Sequence, residues 1–258
     1  MDIPMVKISA AIITFNEEKN IERCIKSLID VVDEIVVVDS FSTDRTEEIC
    51  KKYDVTFIQN PFAGHIQQKN FALEKATYDH VLSLDADEAL DETLKGEILK
   101  VKDNFTADGY YFNRLTNYVD HWVKNCGWYP DRKLRLLNKN LGKWGGVNPH
   151  DLIIMNEGST TQYLRGDLLH YSYDSITDHV NQTNKFTTIA AKAAYSQGKR
   201  SSAFKIVSRP ILKFLKDYFL KKGFLDGQYG LIICSINALY ALLKYSKIKE
   251  LQDGKSID

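Results

Sequence analysis

Long apolar runs, paired cysteines and net charge are all missing from this chain of 258 residues. The uncharged stretch LIICSINALYALL, Leu231–Leu243, falls short of the ~20 residues that cross a bilayer, so no spanning helix is expected. The four cysteines, Cys24, Cys50, Cys126 and Cys234, are scattered, which excludes a paired zinc or redox motif. Buried thiols in a reducing compartment are expected instead. The N-terminal MDIPMVKISA has no basic-then-apolar layout, so a secretory signal is not expected and a cytoplasmic location is. There is no repeat and no low-complexity tract. Lys plus Arg equals Asp plus Glu at 34 each, and no nucleic-acid partner is expected.

What is present is ordinary globular material. With 44% hydrophobic and 26% charged residues, the chain can bury the core of one large domain, or of one domain with an appendage. The zero net charge hides a division. Residues 1–184 carry 20 Lys and Arg against 29 Asp and Glu, whereas residues 185–258 carry 14 against 5. A basic segment on an acidic body suits an anionic partner such as a membrane surface, unless the two parts simply neutralise each other.

Apolar runs and helical periodicities alternate along the first hundred residues. Lys7–Thr14, Glu34–Asp39, Val55–Gln59 and His80–Leu84 read as strands, and their continuous apolarity fits burial on both faces. Between them, FNEEKNIERCIKSLID places Ile21, Cys24, Ile25, Leu28 and Ile29 at helical spacing behind Asn16 as cap. SFSTDRTEEICKKY is a helix with Asp44 capping and Glu47 three residues on, and His65–Ala76 is a third helix. Such alternation implies βαβ units and a parallel sheet. Ligands of these sheets bind beyond the carboxyl ends of the strands, where Thr14, Asn16, Asp39 and Asp85 stand. After residue 105 the pattern changes to an aromatic strand, Gly109–Val119. CGWYPDRKLRLLNK and LGKWGGVNPHDLIIM then mix turns with short strands. Ser175–Gln197 is a long helix, and Ser201–Lys249 reads as two helices broken at Gly223–Gly227.

VLSLDADEAL, residues 81–90, drives a buried-looking strand into Asp85, Asp87 and Glu88, with Asp91 just beyond. Carboxylates that close stay ionised cheaply only with positive charge between them or water around them. A calcium loop is excluded, because Ala89 and Leu90 stand where a ligand and a glycine are required. Two readings remain. In one, Asp87 and Glu88 open a solvated turn into a helix from about Asp91, which leaves Asp85 unexplained. In the other, Asp-x-Asp holds Mg²⁺ or Mn²⁺ through one or two carboxylates, with phosphate oxygens and water completing the shell.

In this order and spacing, AAIITFNEEKNI, EIVVVDSFSTDRT and VLSLDADEAL resemble the nucleotide-sugar half of glycosyltransferase family 2. QQKNFALEKA, WYPDRKLRLL, NPHDLI, LLHYSY and GFLDGQYGL resemble its lipopolysaccharide core glucosyltransferase-like branch. The resemblance covers nearly the whole chain. It implies the GT-A fold, an α/β, Rossmann-like, mostly parallel central sheet flanked by helices, here with a C-terminal helical extension. It further implies metal-dependent, inverting transfer of a hexose such as glucose from a nucleoside-diphosphate sugar, a UDP-sugar above all. The acceptor would be a hydroxyl of a glycan or glycolipid, in lipopolysaccharide core or cell-surface polysaccharide synthesis, and the cofactor Mg²⁺ or Mn²⁺.

The resemblance also implies roles for residues. Thr14, Asn16 and Glu17 line the nucleotide pocket, Asp39 contacts the base or ribose, and Gln68, Lys69 and Asn70 lie on the nucleotide side. Asp85 and Asp87 belong to the metal site, Asp85 facing the ribose or a metal-bound water and Asp87 as a direct ligand, with His170 as candidate third ligand. Arg132 and Arg135 steady the departing diphosphate, and Asp151 stands where the family places its general base. Two positions depart from the family pattern: Lys69 where Arg is expected, and Asp151 where Glu is expected. Charge is kept, but Lys cannot copy a bidentate Arg contact.

Other readings of these residues stay open. Asp39 also reads as a strand-end turn residue, Asp151 as a cap after Pro149, Arg132 and Arg135 as surface residues, and His170 as a core histidine. His65, His80, His121 and His179 read as structural or exposed; Trp122, Trp128 and Trp144 read as core or as an acceptor platform. A sugar-phosphate nucleotidyltransferase would need a Gly-rich phosphate loop near the N-terminus, where FNEEKN stands. A catalytically silent nucleotide-binding membrane scaffold would not need Asp85, Asp87 and Asp151. The expected boundaries are a nucleotide-sugar half over 1–104, an acceptor half over 105–198 and a basic amphipathic tail over 199–258. From Lys185 to Lys249 there are 13 Lys or Arg and only two acids, Asp217 and Asp226, and the apolar residues of Ser201–Phe219 form a helical stripe. Such a tail suits a peripheral anchor on an anionic membrane, a homodimer contact, or packing on the catalytic domain.

Overall fold

Strands β1 (Ile8–Thr14), β2 (Glu34–Asp39), β3 (Thr56–Gln59) and β4 (His80–Asp85) run parallel in the order β3-β2-β1-β4. The computed structural model in which they are seen describes residues 5–147 and 150–257. Pro149 lies outside the described residues, whereas Asp151, read also as a cap after it, is a strand residue paired with Gly146. Continuous apolarity has the expected cause, burial on both faces. On one face Ile8, Ile12, Val37, Leu82 and Leu84 pack with Ile21, Cys24, Ile25 and Leu28 of helix α1 (Ile21–Leu28). On the other, Ala11, Val36, Val38 and Val81 pack with Ala72 and Leu73 of α3 (His65–Lys75). Each fully buried Leu, Ile or Val contributes about 1.5–3 kcal/mol. The short α2 (Thr46–Cys50) follows β2; its N-cap is Arg45 and not the expected Asp44, whose Oδ1 instead accepts from the Thr46 backbone N–H at 3.0 Å in the turn before the helix.

Antiparallel strands extend this parallel half into a nine-stranded mixed sheet, so the α/β class holds. β8 (Asp131–Asn138) pairs with β4, β6 (Gly109–Tyr118) with β8, and β5 (Glu88–Leu90) with β11 (Thr161–Tyr173), while β7 (His121–Trp122) flanks β6. β9 (Gly142–Val147) and β10 (His150–Met155) form a separate hairpin. Glu88 opens a strand, not the expected helical turn. The helix α4 (Glu92–Asp103) begins after Asp91, whose Oδ1 accepts from Leu94 N–H at 2.7 Å. β11 has no expected counterpart, because Gly166 and Asp167 interrupt its apolar residues.

By their contacts the residues group into two compact units, Met1–Arg114 with Asp131–Tyr171, and Leu115–Pro130 with Ser172–Asp258, whereas the sequence reading placed boundaries after 104 and 198. The second unit is helical. Ser175 caps α5 (Ile176–Ser196), and Ser202 caps α6 (Ala203–Leu215). A π-helical turn (Lys216–Leu220) and a 3₁₀ turn (Gly223–Asp226) lead into α7 (Gly227–Gln252), which packs along α5 and α6. The break at GFLDG falls where expected, and just beyond it, in the first turn of α7, glycine is required at 230. A Cβ on Gly230 would stand 1.8 Å from the Gly223 carbonyl oxygen. By length and composition the segment Gly223–Gln252 could cross a bilayer, which corrects the expectation drawn from the uncharged run alone, since the helix continues on both sides of that run. All four cysteines are free and buried, as expected.

Candidate active site

Parallel strands end together, and the register sets Thr14 beside Asp39 and Ile13 beside Asp85. Asp39 is fully buried. Its carboxylate accepts from Ser42 Oγ at 2.5 Å and Ser42 N–H at 2.9 Å. Asn16 has φ 55°, a left-handed conformation that Asn tolerates. It therefore does not cap α1. Its N–H donates to Ser42 Oγ and its side-chain oxygen accepts from Thr43 N–H, each at 2.8 Å. Glu17 N–H donates to Thr46 Oγ1 at 2.9 Å. Gln68 of α3 donates to Ser40 Oγ at 3.0 Å and accepts from Asn60 at 2.8 Å. Asn16, Glu17, Asp39 and Gln68 thus shape one loop beyond the strand ends, and Thr14 Oγ1 lies buried without a hydrogen-bond partner beneath it.

The carboxylates of DADE meet side-chain cations. Lys69 Nζ lies 3.0 Å from Asp85 Oδ1 and 2.8 Å from Asp151 Oδ2. Arg135 Nη2 lies 2.8 Å from Glu88 Oε1 and 3.4 Å from Asp85 Oδ2. Asp85 N–H donates to Glu88 Oε2 at 3.0 Å. Trp144 forms the apolar wall: Lys69 Nζ sits 4.2 Å and the Arg135 guanidinium 5.0 Å from its ring, and its Nε1 donates to Ser83 Oγ at 3.0 Å. Burial opposes charge on Asp85, but the Lys69 ammonium and the Arg135 guanidinium outweigh it and hold the carboxyl well below the usual carboxylate range. Lys69 and Asp151 are thus in direct contact.

Asn70 fastens the hairpin to α3. Its side chain donates to the Trp144 carbonyl and accepts from the Trp144 N–H, both at 2.9 Å. Consecutive residues of one helix turn therefore serve three partners, Gln68 the loop, Lys69 the carboxylates and Asn70 the strand that pairs with β10.

Asp87 and His170 meet through the β5–β11 pairing, which sets His170 opposite Glu88. His170 Nε2 lies 3.2 Å from Asp87 Oδ2, while its Nδ1 is buried without a partner. Among the described residues no group of three or more His, Cys, Asp and Glu is placed to hold a metal ion. A carboxylate and an imidazole fit a divalent ion that takes its remaining ligands from a substrate diphosphate and water. Asp85 is committed to Lys69 and Arg135, which answers the charge problem of DADE with side-chain cations.

The structure does not bring Arg132 into this cluster. It is exposed, with its guanidinium 5.4 Å from the Tyr163 ring and 5.8 Å from that of Tyr111. Glu88, which also reads as a solvated turn residue, is a buried member of the cluster, and the Ala89 and Leu90 that follow it are the signal: an acid in an apolar strand must meet a cation. Trp144 is nearly fully buried and Trp128 packs with Tyr118, Tyr173 and His179, so both are core.

Residues 9–163 match Glycosyl transferase family 2, and the chain belongs to that family. It is 34% identical to an uncharacterized glycosyltransferase of Rickettsia typhi over 96% of this chain and 88% of that one. It is 31% identical to the lipopolysaccharide core biosynthesis glycosyltransferase LpsC of Rhizobium meliloti, over 95% and 93%. Among solved structures, S. aureus TarS 1–349 in complex with UDP is similar at TM-score 0.46 and 15% identity, over 98% of this chain and 93% of that one.

Proposed function

We propose that this glycosyltransferase transfers a hexose from a UDP-sugar to a hydroxyl of a glycan or glycolipid acceptor, with inversion and with the help of Mg²⁺ or Mn²⁺. The observation that carries the reading is the convergence of Asp85, Glu88, Lys69, Arg135 and Asp151 beyond the ends of the parallel strands. The loop shaped by Asn16, Glu17, Asp39 and Gln68, with Thr14 beneath, receives the nucleotide. Asp87 and His170 would hold the metal, which would supply Lewis-acid stabilisation of the leaving diphosphate. Arg135 has two buried guanidinium nitrogens, Nε and Nη1, without partners, and they supply donors for developing negative charge. Asp151 takes the proton of the attacking hydroxyl. That hydroxyl must share the carboxylate with Lys69, so Lys69 positions the base. A lipopolysaccharide core acceptor is supported by the name of the Rhizobium relative.

The test is release of nucleoside diphosphate from a panel of nucleotide sugars with and without Mn²⁺. UDP-sugars should be turned over and EDTA should stop turnover. Asp87→Ala should abolish the metal-dependent turnover while the fold persists. Asp151→Asn should lose ~10²–10⁴ of the rate, the usual worth of general base catalysis, with donor affinity within a few-fold. Normal turnover in Asp151→Asn would move the base elsewhere, and EDTA-insensitive turnover would remove the metal.

A further inference from the structure

Helix α6 has no buried residue within the chain. It presents three sectors. Ile206, Pro210 and Phe214 are half-buried and turn inward with Asp217, which is fully buried. Phe204, Val207, Ile211, Leu215 and Phe219 follow at spacings of three and four and stay exposed, Phe204 at 79% and Ile211 at 55%. Leu220, at 78%, Phe224 and Leu225 continue the exposed apolar surface through the turns that follow. The third sector is basic. Residues 201–225 contain six cations, Lys205, Arg209, Lys213, Lys216, Lys221 and Lys222, and one acid, Asp217. That acid is withdrawn from the surface: Lys213 Nζ lies 2.8 Å and Lys221 Nζ 3.5 Å from its carboxylate, and Asn237 donates to it at 3.0 Å. No negative side chain of this segment is left exposed.

We propose that this face is a docking surface for an anionic phospholipid bilayer. The apolar side chains would enter the acyl boundary, and the cations beside them would meet the headgroups, as an interfacial helix requires. Charge decides against a second copy of the chain. A two-fold contact pairs a patch with itself, so the four cations not paired with Asp217, Lys205, Arg209, Lys216 and Lys222, would be set against their own kind with no exposed acid between them. The inference does not depend on the roles proposed for the carboxylate cluster.

The test is flotation of the full chain with vesicles of phosphatidylcholine alone and of an equal mixture with phosphatidylglycerol. Binding is expected to the mixed vesicles only, and should be released by high salt. A juxtamembrane cation is worth about 1 kcal/mol, about fivefold in partitioning, so Arg209→Gln with Lys216→Gln should weaken binding roughly 25-fold. Phe204→Ser with Ile211→Ser should also weaken it. Neither pair should change the circular dichroism spectrum, because the altered side chains are exposed. Failure to bind mixed vesicles, equal binding to neutral vesicles, or a salt-stable dimer that protects α6 from hydrogen exchange would overturn the proposal. Resistance of membrane-bound protein to alkaline carbonate would also overturn it in favour of insertion of α7.

Discussion

Arg135 is the charge on which Glu88 depends. Glu88 is fully buried and Arg135 nearly so. Removing one partner of such a pair leaves an uncompensated buried charge, a cost of about 3–5 kcal/mol, whereas replacing both by apolar residues is often neutral. Arg135→Met should therefore lower the urea stability by about that amount, and Arg135→Met with Glu88→Met should recover most of it. Equal loss in the single and double variants would show that Arg135 acts through its packing on Trp144 and not through Glu88. The pKa of Asp85 is depressed by the Lys69 ammonium and the Arg135 guanidinium, which outweigh its burial. Its stabilising contribution is complete above its ordinary value of 3.8 and is lost as pH falls through the lower folded value. At this scale the sequence was legible where a charge stood at a strand end, as with Asp39 and Asp85. It was not legible where the meaning of a charge depended on its partner. Glu88 has its meaning through Arg135, 47 positions away, and Asp151 has part of its own through Lys69.

Among the elements, α5 carries a titrating group into an apolar setting. His179 sits among Tyr118, Trp128 and Tyr173, with Nδ1 3.1 Å from the Tyr118 hydroxyl oxygen. Burial pushes its pKa down to about 4 from the ordinary 6.5. Between those values the unfolded chain takes up a proton that the native state refuses, so stability rises with pH across the window and is complete above it. At 1.36 kcal/mol per unit the contribution is at most about 3 kcal/mol. Denaturation midpoints followed from pH 4 to 6.5 should climb in the parent chain and climb less in His179→Phe. An identical slope in the variant would assign the effect to other groups, of which His80, also depressed by burial, is the first to test. Strands with unbroken apolar runs and helices with strong periodicity were readable in advance, and so was the break at GFLDG. β11 was hidden because a strand long enough to carry Gly166 and Asp167 has no clean period. Asn16 was misassigned because a residue that can cap a helix can equally take the left-handed conformation of a tight loop.

The whole molecule has equal numbers of opposite charges and an isoelectric point near 7.0, but those charges are segregated along the chain. Proteins near zero net charge associate readily, and attraction between opposite patches is screened by salt. Light scattering at low ionic strength should peak near pH 7 and fall as salt is added; scattering that rises steadily with salt would point to apolar contacts instead. The α/β architecture was legible because each βαβ unit is local in sequence. The grouping into two units was not, because residues 115–130 and 172–258 come together over a long separation. The same separation governs how the site can change over generations. Lys69 and Asp151 lie 82 positions apart, yet they touch directly, with the Trp144 ring against Lys69. Lys69→Arg or Asp151→Glu would lengthen one arm of a closed contact. A change at one of the two positions would therefore leave a misfitted charge until the other position changed to match it.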